Sequence, residues 1–453
     1  MRKSFIAFVF LLLSLDTLAQ VKQDAQLTRS IDSLVAPQFS DNQPGVSILV
    51  AKHGEIVYAK AFGSANLELN VPLRPEMVFD LGSITKQFTA VAILQLGEHG
   101  KLALRDSIQQ YVKDFPSKGD TITIANLLTH TSGIPDYMQL DFKDRYIERR
   151  DFSPKAIIDS FKTRPLQFEP GTKFSYSNSG YFLLGYIIEQ VSGESYEQYI
   201  QQHILSPLGL NNTFYKKPNE IIPNHVNGYK KTGELYQNAD FWSATLPYAA
   251  GNLVSNTADL FKWHQALYGG KLLKKETLNK AFTPFILKDG SSAGYGYGWY
   301  QRDLNGVKSI GHGGAITGFL TDEMYYPAAD VYVVVLCNCE CIAKDELSIA
   351  IADIALGKSL QSNIALDESV LNRYTGTYTM LPDQKRIITI AKKDGHLVAD
   401  VQGQGSFEIL FQSEKTFSFK GIIGANAQFV VNDDKVTGFI VEQNGRYEWR
   451  KIK

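Results

Sequence analysis

Strand-like stretches bracket a long helical middle, and few folds accommodate that order. GVSILVAKHGEIVYAKAFG (45–63) reads as two β-rich segments around a Lys-His-Gly turn. From about residue 83 to 270 the apolar residues recur at helical spacing. QFTAVAILQLGEHG ends on Gly100, which suits a helix C-cap, and YFLLGYIIEQVSGES stops at Ser192-Gly193. Strand texture returns from about 294 in YGYGWYQ, GVKSIGHGG, FLTDEMYYP and DVYVVVLCN, before the helical pattern DELSIAIADIAL. Strands at both ends with helices between them predict an α/β (α+β) fold: one antiparallel sheet flanked by helices, plus an all-α subdomain.

Beyond GKSLQSNIA, the expected linker at 358–365, the texture is β alone. RIITIAKK, HLVADVQ, FEILFQ, TFSFK, AQFVVN, KVTGFIVEQ and RYEWRKI are punctuated by turns at Lys393-Asp394-Gly395, Asn432-Asp433-Asp434 and Asn444-Gly445. Residues 366–453 are therefore expected to form a small β-barrel-like accessory domain after a main domain over 20–357.

The chain starts MRKSFIAFVFLLLSLDTLAQ, with Arg2 and Lys3 ahead of an apolar run too short to span a bilayer. Thr17-Leu18-Ala19 follows as a small-residue cleavage site, so residues 1–19 read as a secretory signal peptide. The expectation is an exported protein, periplasmic or extracellular, with no stable membrane anchor. A net charge of −1 without a basic tract argues against a nucleic-acid partner. The three cysteines, Cys337, Cys339 and Cys341, lie in CNCEC after VYVVVL. They read as buried strand-end thiols, with a disulfide among them left open. Nothing near them completes a tetrahedral set, so neither a metal nor any other cofactor is expected.

Chemistry is suggested first by Ser83 and Lys86 in LGSITKQFTA, a spacing that chance also supplies in a chain of 453 residues. Residues i and i+3 share a helix face, which puts an amine beside the hydroxyl. A serine needs a base, and an ordinary lysine is protonated at neutral pH. Burial and a polar partner lower that value. Tyr176 and Asn178 in FEPGTKFSYSNSGYFLLG offer a phenol to relay the proton and an amide to hold Lys86 and a substrate carbonyl. Tyr236-Gln237-Asn238 repeats the Tyr-x-Asn pattern elsewhere.

Taken together, Ser83-x-x-Lys86, Tyr176-x-Asn178 and His312-Gly313-Gly314 resemble, in order and rough spacing, the motifs of the serine β-lactamase and penicillin-binding-protein superfamily. The likeness is to the branch that holds class C β-lactamases, D-alanyl-D-alanine carboxypeptidases, D-aminopeptidases and related esterases. LLTHTSGIPDY, PGTKFSYSNSGY, AAGNLVSNTADLFKW and YGYGW are similar too, and the resemblance covers about residues 36 to 357. It implies a serine hydrolase with Ser83 as nucleophile, Lys86 and Tyr176 as proton relay, and Asn178, His312, Gly313, Gly314 and Ala315 along the substrate. The amides of Ser83 and Ala315 would form the oxyanion hole. The barrel-like tail has a faint likeness to the lipocalin-like barrels that trail some of these hydrolases.

Two decoys compete. Lys231-Thr232-Gly233 spells the third motif as many β-lactamases carry it, but lies in the polar, turn-like NGYKKTGELYQN. Gly290-Ser291-Ser292-Ala293-Gly294 matches a nucleophile elbow without the helix that motif needs after it. Ser132, near His130, is expected to cap or turn the helical subdomain. A neutral imidazole at 312 and a bare glycine at 313 offer a substrate carboxylate no cation, which favours ester, amide or D-amino-acid peptide-like substrates. The alternatives are a D,D-carboxypeptidase or class C-type β-lactamase, and a slowly deacylating penicillin-binding or sensor module.

Overall fold

The computed structural model describes residues 24–140, 147–304, 306–358, 364–382, 385–420, 426–432, 435–442 and 446–453. The expected signal peptide and most of the expected linker lie outside them, as do the turn residues 433–434 and 444–445.

Six antiparallel strands make the central sheet, in the order Tyr300–Leu304, Val307–Ile316, Phe319–Tyr326, Val331–Cys337, Val46–Lys52, Glu55–Phe62. The first and last strand groups of the main body thus meet through the pairing of Val46–Lys52 with Val331–Cys337. This pairing explains the unbroken apolar run VYVVVL, because both faces of that central strand are covered. Val333 and Val335 pack with Ile48 and Val50 against Leu27 and Ile31 of the helix Ala25–Val35 and Ile351 of the helix Lys344–Ala355. Val334 and Leu336 face the other way with Leu49, into the core built around the helix Thr85–Glu98. That helix is buried from Thr85 to Leu94 and has no polar face. Its chain turns out at Gly100, in the left-handed region at φ 67°. The helix Asn178–Ser192 ends on Gly193, also left-handed at φ 77°.

Two expectations need correction. YGYGW is not a strand: the strand is Tyr300–Leu304, and Tyr295 makes only an isolated bridge to Tyr300. Gly294 and Gly298 take φ 66° and 97° and turn the backbone, while Tyr295 is buried against neighbouring rings. The stretch around Lys231 is a hairpin, Tyr229–Thr232 with Leu235–Asn238, rather than an unstructured turn.

The C-terminal region closes into an eight-stranded antiparallel barrel. Seven strands match the sequence reading; the eighth, Gly376–Leu381, closes the barrel against Arg446–Lys451. The interior is filled. Tyr374, from the helix Glu368–Tyr374, stacks on Phe429 at 3.9 Å, and Phe417, Phe439 and Tyr378 pack around the same ring.

Candidate active site

Ser83 sits in a single 3-10 turn, Gly82–Ile84, that runs directly into the helix Thr85–Glu98. Two glycines let the sheet edge reach it. A Cβ on Gly314 would lie 2.0 Å from the Leu81 carbonyl oxygen, and one on Gly82 would lie 2.9 Å from the Ala315 nitrogen. The Thr321 hydroxyl donates to Leu81 O at 2.7 Å and pins the approach. The edge itself is open, because the pairing of Tyr300–Leu304 with its neighbour ends at Gly311 and leaves 312–316 unpaired on that side. Ser83, Tyr176, Asn178, His312 and the 313–315 backbone all line one cleft of about 480 Å³.

Lys86 is completely buried. Its Nζ lies 2.8 Å from Ser83 Oγ, 2.9 Å from Asn178 Oδ1 and 2.8 Å from the Ala250 carbonyl oxygen. Burial pulls its pKa down to about 7, against a smaller upward pull from the Asp136 carboxylate. Asn178 Nδ2 donates to Asp136 Oδ2 at 3.0 Å, which assigns Oδ1 to Lys86. A neutral amine here gives its two N–H groups to Asn178 Oδ1 and Ala250 O, both acceptors. Its lone pair is left for the Ser83 proton.

The backbone just before the helix Asn178–Ser192 carries Tyr176, whose phenol bonds to the Ser83 hydroxyl. Burial, only partly offset by that bond, raises its pKa well above the ordinary phenol value. Tyr176 therefore stands as a protonated phenol. Its ring packs against His130 at 4.3 Å between centroids, tilted by 32°, and His130 Nδ1 accepts the Ser177 N–H at 3.0 Å. His130 thus holds Tyr176 from behind rather than serving Ser132, whose Oγ accepts the Ile134 N–H in a local turn.

His312 is buried and neutral, because burial and the Lys86 charge depress its pKa well below the ordinary value. Its Nδ1 donates to Gly313 O at 2.6 Å, so Nε2 accepts the Tyr295 hydroxyl at 3.0 Å. Lys231 is remote from this cluster, on the hairpin with Glu234 at 3.1 Å. Ser291 and Ser292 lie in an exposed loop, where they bond to Asp289 and to the Gly294 amide. Tyr236 and Asn238 are on the same hairpin as Lys231.

Sequence reasoning missed four contributors. Asp136 orients Asn178, and the Ala250 carbonyl holds Lys86. Both lie in segments quoted for their likeness, LLTHTSGIPDY and AAGNLVSNTADLFKW. Arg302 and Lys344 also line the cleft, and no local pattern announces them. The cysteines are corrected in part: Cys339 and Cys341 form a disulfide, and Cys337 is a buried free thiol.

The family model described as Beta-lactamase matches residues 27–357. Penicillin-binding protein 4* of Bacillus subtilis (strain 168) is 30% identical over 427 residues, covering 89% of this chain and 93% of that protein. The octameric penicillin-binding protein homologue from Pyrococcus abyssi superposes with a TM-score of 0.63 at 26% identity, covering 94% of this chain and 98% of that one. A D-amino acid amidase from Ochrobactrum anthropi SV3 reaches a TM-score of 0.65 over 74% of this chain and 99% of its own, at 24% identity, and so speaks for the fold alone.

Proposed function

Because the chain belongs to the beta-lactamase family, a serine hydrolase superfamily, we propose that it is an exported hydrolase working through a Ser83 acyl-enzyme. Its substrates on this reading are esters or amides related to D-amino-acid peptides. The observation that carries the proposal is the Lys86 node. A buried amine whose other contacts are acceptors faces a serine hydroxyl at 2.8 Å.

Ser83 Oγ attacks the substrate carbonyl carbon as its proton passes to Lys86. The amides of Ser83 and Ala315 stabilise the oxyanion, each donor contributing about 3 to 4 kcal/mol. Tyr176, kept protonated, gives its proton to the leaving group and is recharged from Lys86 across Ser83. Asn178 holds the amine on one side and offers its amide edge to the substrate. Water then hydrolyses the acyl-enzyme. His312 positions the strand edge and Tyr295, and carries no charge to the substrate.

Incubation with a panel of short esters, D-amino-acid amides and β-lactams, followed by intact mass and peptide mapping, tests this. The expected result is an acyl adduct on Ser83 that decays with turnover. An adduct on Ser132 or Ser292 would overturn the assignment. The names of the Bacillus relatives favour one second reading, a penicillin-binding module that deacylates slowly. A stable penicilloyl adduct with no turnover of any ester would select it.

A further inference from the structure

The strand Val331–Cys337 runs on towards the cleft wall through a small ring that the acyl-transfer chemistry does not use. Cys339 and Cys341 close a disulfide across the single residue Glu340. The two ends differ in exposure, since Cys339 is fully buried and Cys341 is exposed. A thiolate arriving from solvent therefore meets Cys341. The Cys341 N–H donates to Cys339 Sγ at 3.2 Å, so a donor already stands at the sulfur that would leave. The third cysteine, Cys337, is a buried free thiol, and burial pushes its pKa up, so it supplies no competing thiolate.

The ring lies between two parts of the cleft. On one side, Glu340 Oε1 accepts the Gly318 N–H at 2.7 Å, just beyond Ile316 and Thr317, which line the cleft after Ala315. The Glu340 N–H is held in turn by the Tyr229 carbonyl at 3.1 Å. On the other side, only Ile342 and Ala343 separate Cys341 from the helix Lys344–Ala355, whose Lys344 and Asp345 also line the cleft. Lys344 Nζ lies 3.2 Å from where a Cβ on Gly313 would stand. The closed ring thus fixes the turn that aims Glu340 at Gly318 and sets the start of that helix. So small a ring restrains little of the unfolded chain, which makes its effect local rather than global.

We infer that Cys339–Cys341 is an exchange site for small thiols, attacked at Cys341 Sγ, and that opening it slackens the cleft edge and slows acylation. The coupling to acylation rests on the Ser83 reading; the exchange chemistry does not. The incoming thiolate bonds to Cys341 Sγ as the sulfur–sulfur bond breaks, and the electron pair leaves on Cys339 Sγ, which takes a proton from water. A second thiolate attacks the small-molecule sulfur of the mixed disulfide and releases Cys341. The protein ends as a dithiol and the small thiol as its own disulfide.

The test incubates the folded full chain with glutathione, quenches it in acid and maps the peptides by mass; desalted samples are assayed for Ser83 acylation by a short ester. A glutathionyl group on Cys341, with Cys339 as a free thiol, is the expected product. The opened protein should acylate more slowly, by up to about a hundredfold, which a displacement of about 1 Å is enough to cause. Oxidised glutathione should restore the rate. Glu340→Ala, at an exposed side chain, should slow acylation with the ring still closed. Modification at Cys339 or Cys337, or no opening in the folded protein, overturns the exchange site. An unchanged rate after opening overturns the coupling, and an unchanged rate in Glu340→Ala overturns its route through Gly318. Absence of a Ser83 adduct in the untreated, ring-closed protein would instead overturn the acyl-transfer reading and leave the mass map as the test of exchange.

Discussion

The main body and the barrel both bury aromatic side chains in bulk, and they use them differently. In the barrel, rings meet rings: Phe429 packs with Tyr374, Phe417 and Phe439, and the polar ends of Tyr374 and Tyr378 are tied to backbone carbonyls. Around Ser83, rings meet ionisable groups. Tyr176 and Tyr181 stand 4.9 and 5.6 Å from Lys86 Nζ, and His130 lies among Tyr176, Tyr181 and Tyr295. The same apolar bulk that only fills space in one region strips water from an amine in the other and brings its pKa to about 7. Chemistry resides where desolvation acts on a group that can change charge.

The contrast can be broken most severely at the nucleophile. Ser83→Ala should lower acylation by about four orders of magnitude or more, as loss of an essential nucleophile does. A chain ending near Ala365, without the barrel, should still acylate. A folded truncated protein that fails to acylate would show that the barrel belongs to the site.

Next in size is the relay. Lys86→Ala and Tyr176→Phe should each cost roughly two to four orders of magnitude. The double variant should cost little more than the worse single one, because both serve one proton path. Additive losses would make one of the pair structural.

A smaller effect concerns the desolvated amine. kcat/KM for acylation should rise as pH increases through about 7, where Lys86 loses its proton. The Asp136 charge pulls that pKa upward. Asp136→Asn should therefore move the acid limb to lower pH, and the lost orientation of Asn178 should cost about tenfold in rate, close to one hydrogen bond. A limb that does not move would remove Asp136 from the network.

Least affected should be acylation in Phe429→Ala. Cavity formation there should destabilise the barrel by about 3 to 5 kcal/mol, measured by denaturant unfolding. The Ser83 acylation rate should remain at the wild-type value.

Legibility in the sequence followed the range of the interactions. Ser83 with Lys86 and Tyr176 with Asn178 were visible because each pair sits within one turn at the start of a helix. The central sheet was visible because strand-like stretches at both ends of the main body bracket its helical middle. Asp136, Ala250, Arg302 and Lys344 were not, since each enters the site only through tertiary approach. Lys344 shows this well: it reaches Gly313 across the sheet edge, and its neighbours in sequence, Ala343 and Asp345, carry no sign of it. YGYGW alternates as a strand should, but its glycines adopt left-handed backbone and its tyrosine serves the aromatic cluster. The barrel strand Gly376–Leu381, which pairs both with the following strand Ile387–Lys393 and with the last strand of the chain, escaped notice.

The acceptor-only surroundings of Lys86 have a consequence for timing. Once the amine has taken the serine proton it becomes an ammonium, with two N–H groups committed to Asn178 Oδ1 and Ala250 O. The third points only at the oxygen of Ser83, which now carries the acyl group. Until that proton leaves by way of Tyr176 and the departing group, no base exists to activate water. The lifetime of the acyl-enzyme is thus set by a reset step rather than by the strength of the ester bond. A substrate whose leaving group lingers in the cleft would hold the protein in its acylated state, because neither water nor any other acceptor is deprotonated until the relay is reset.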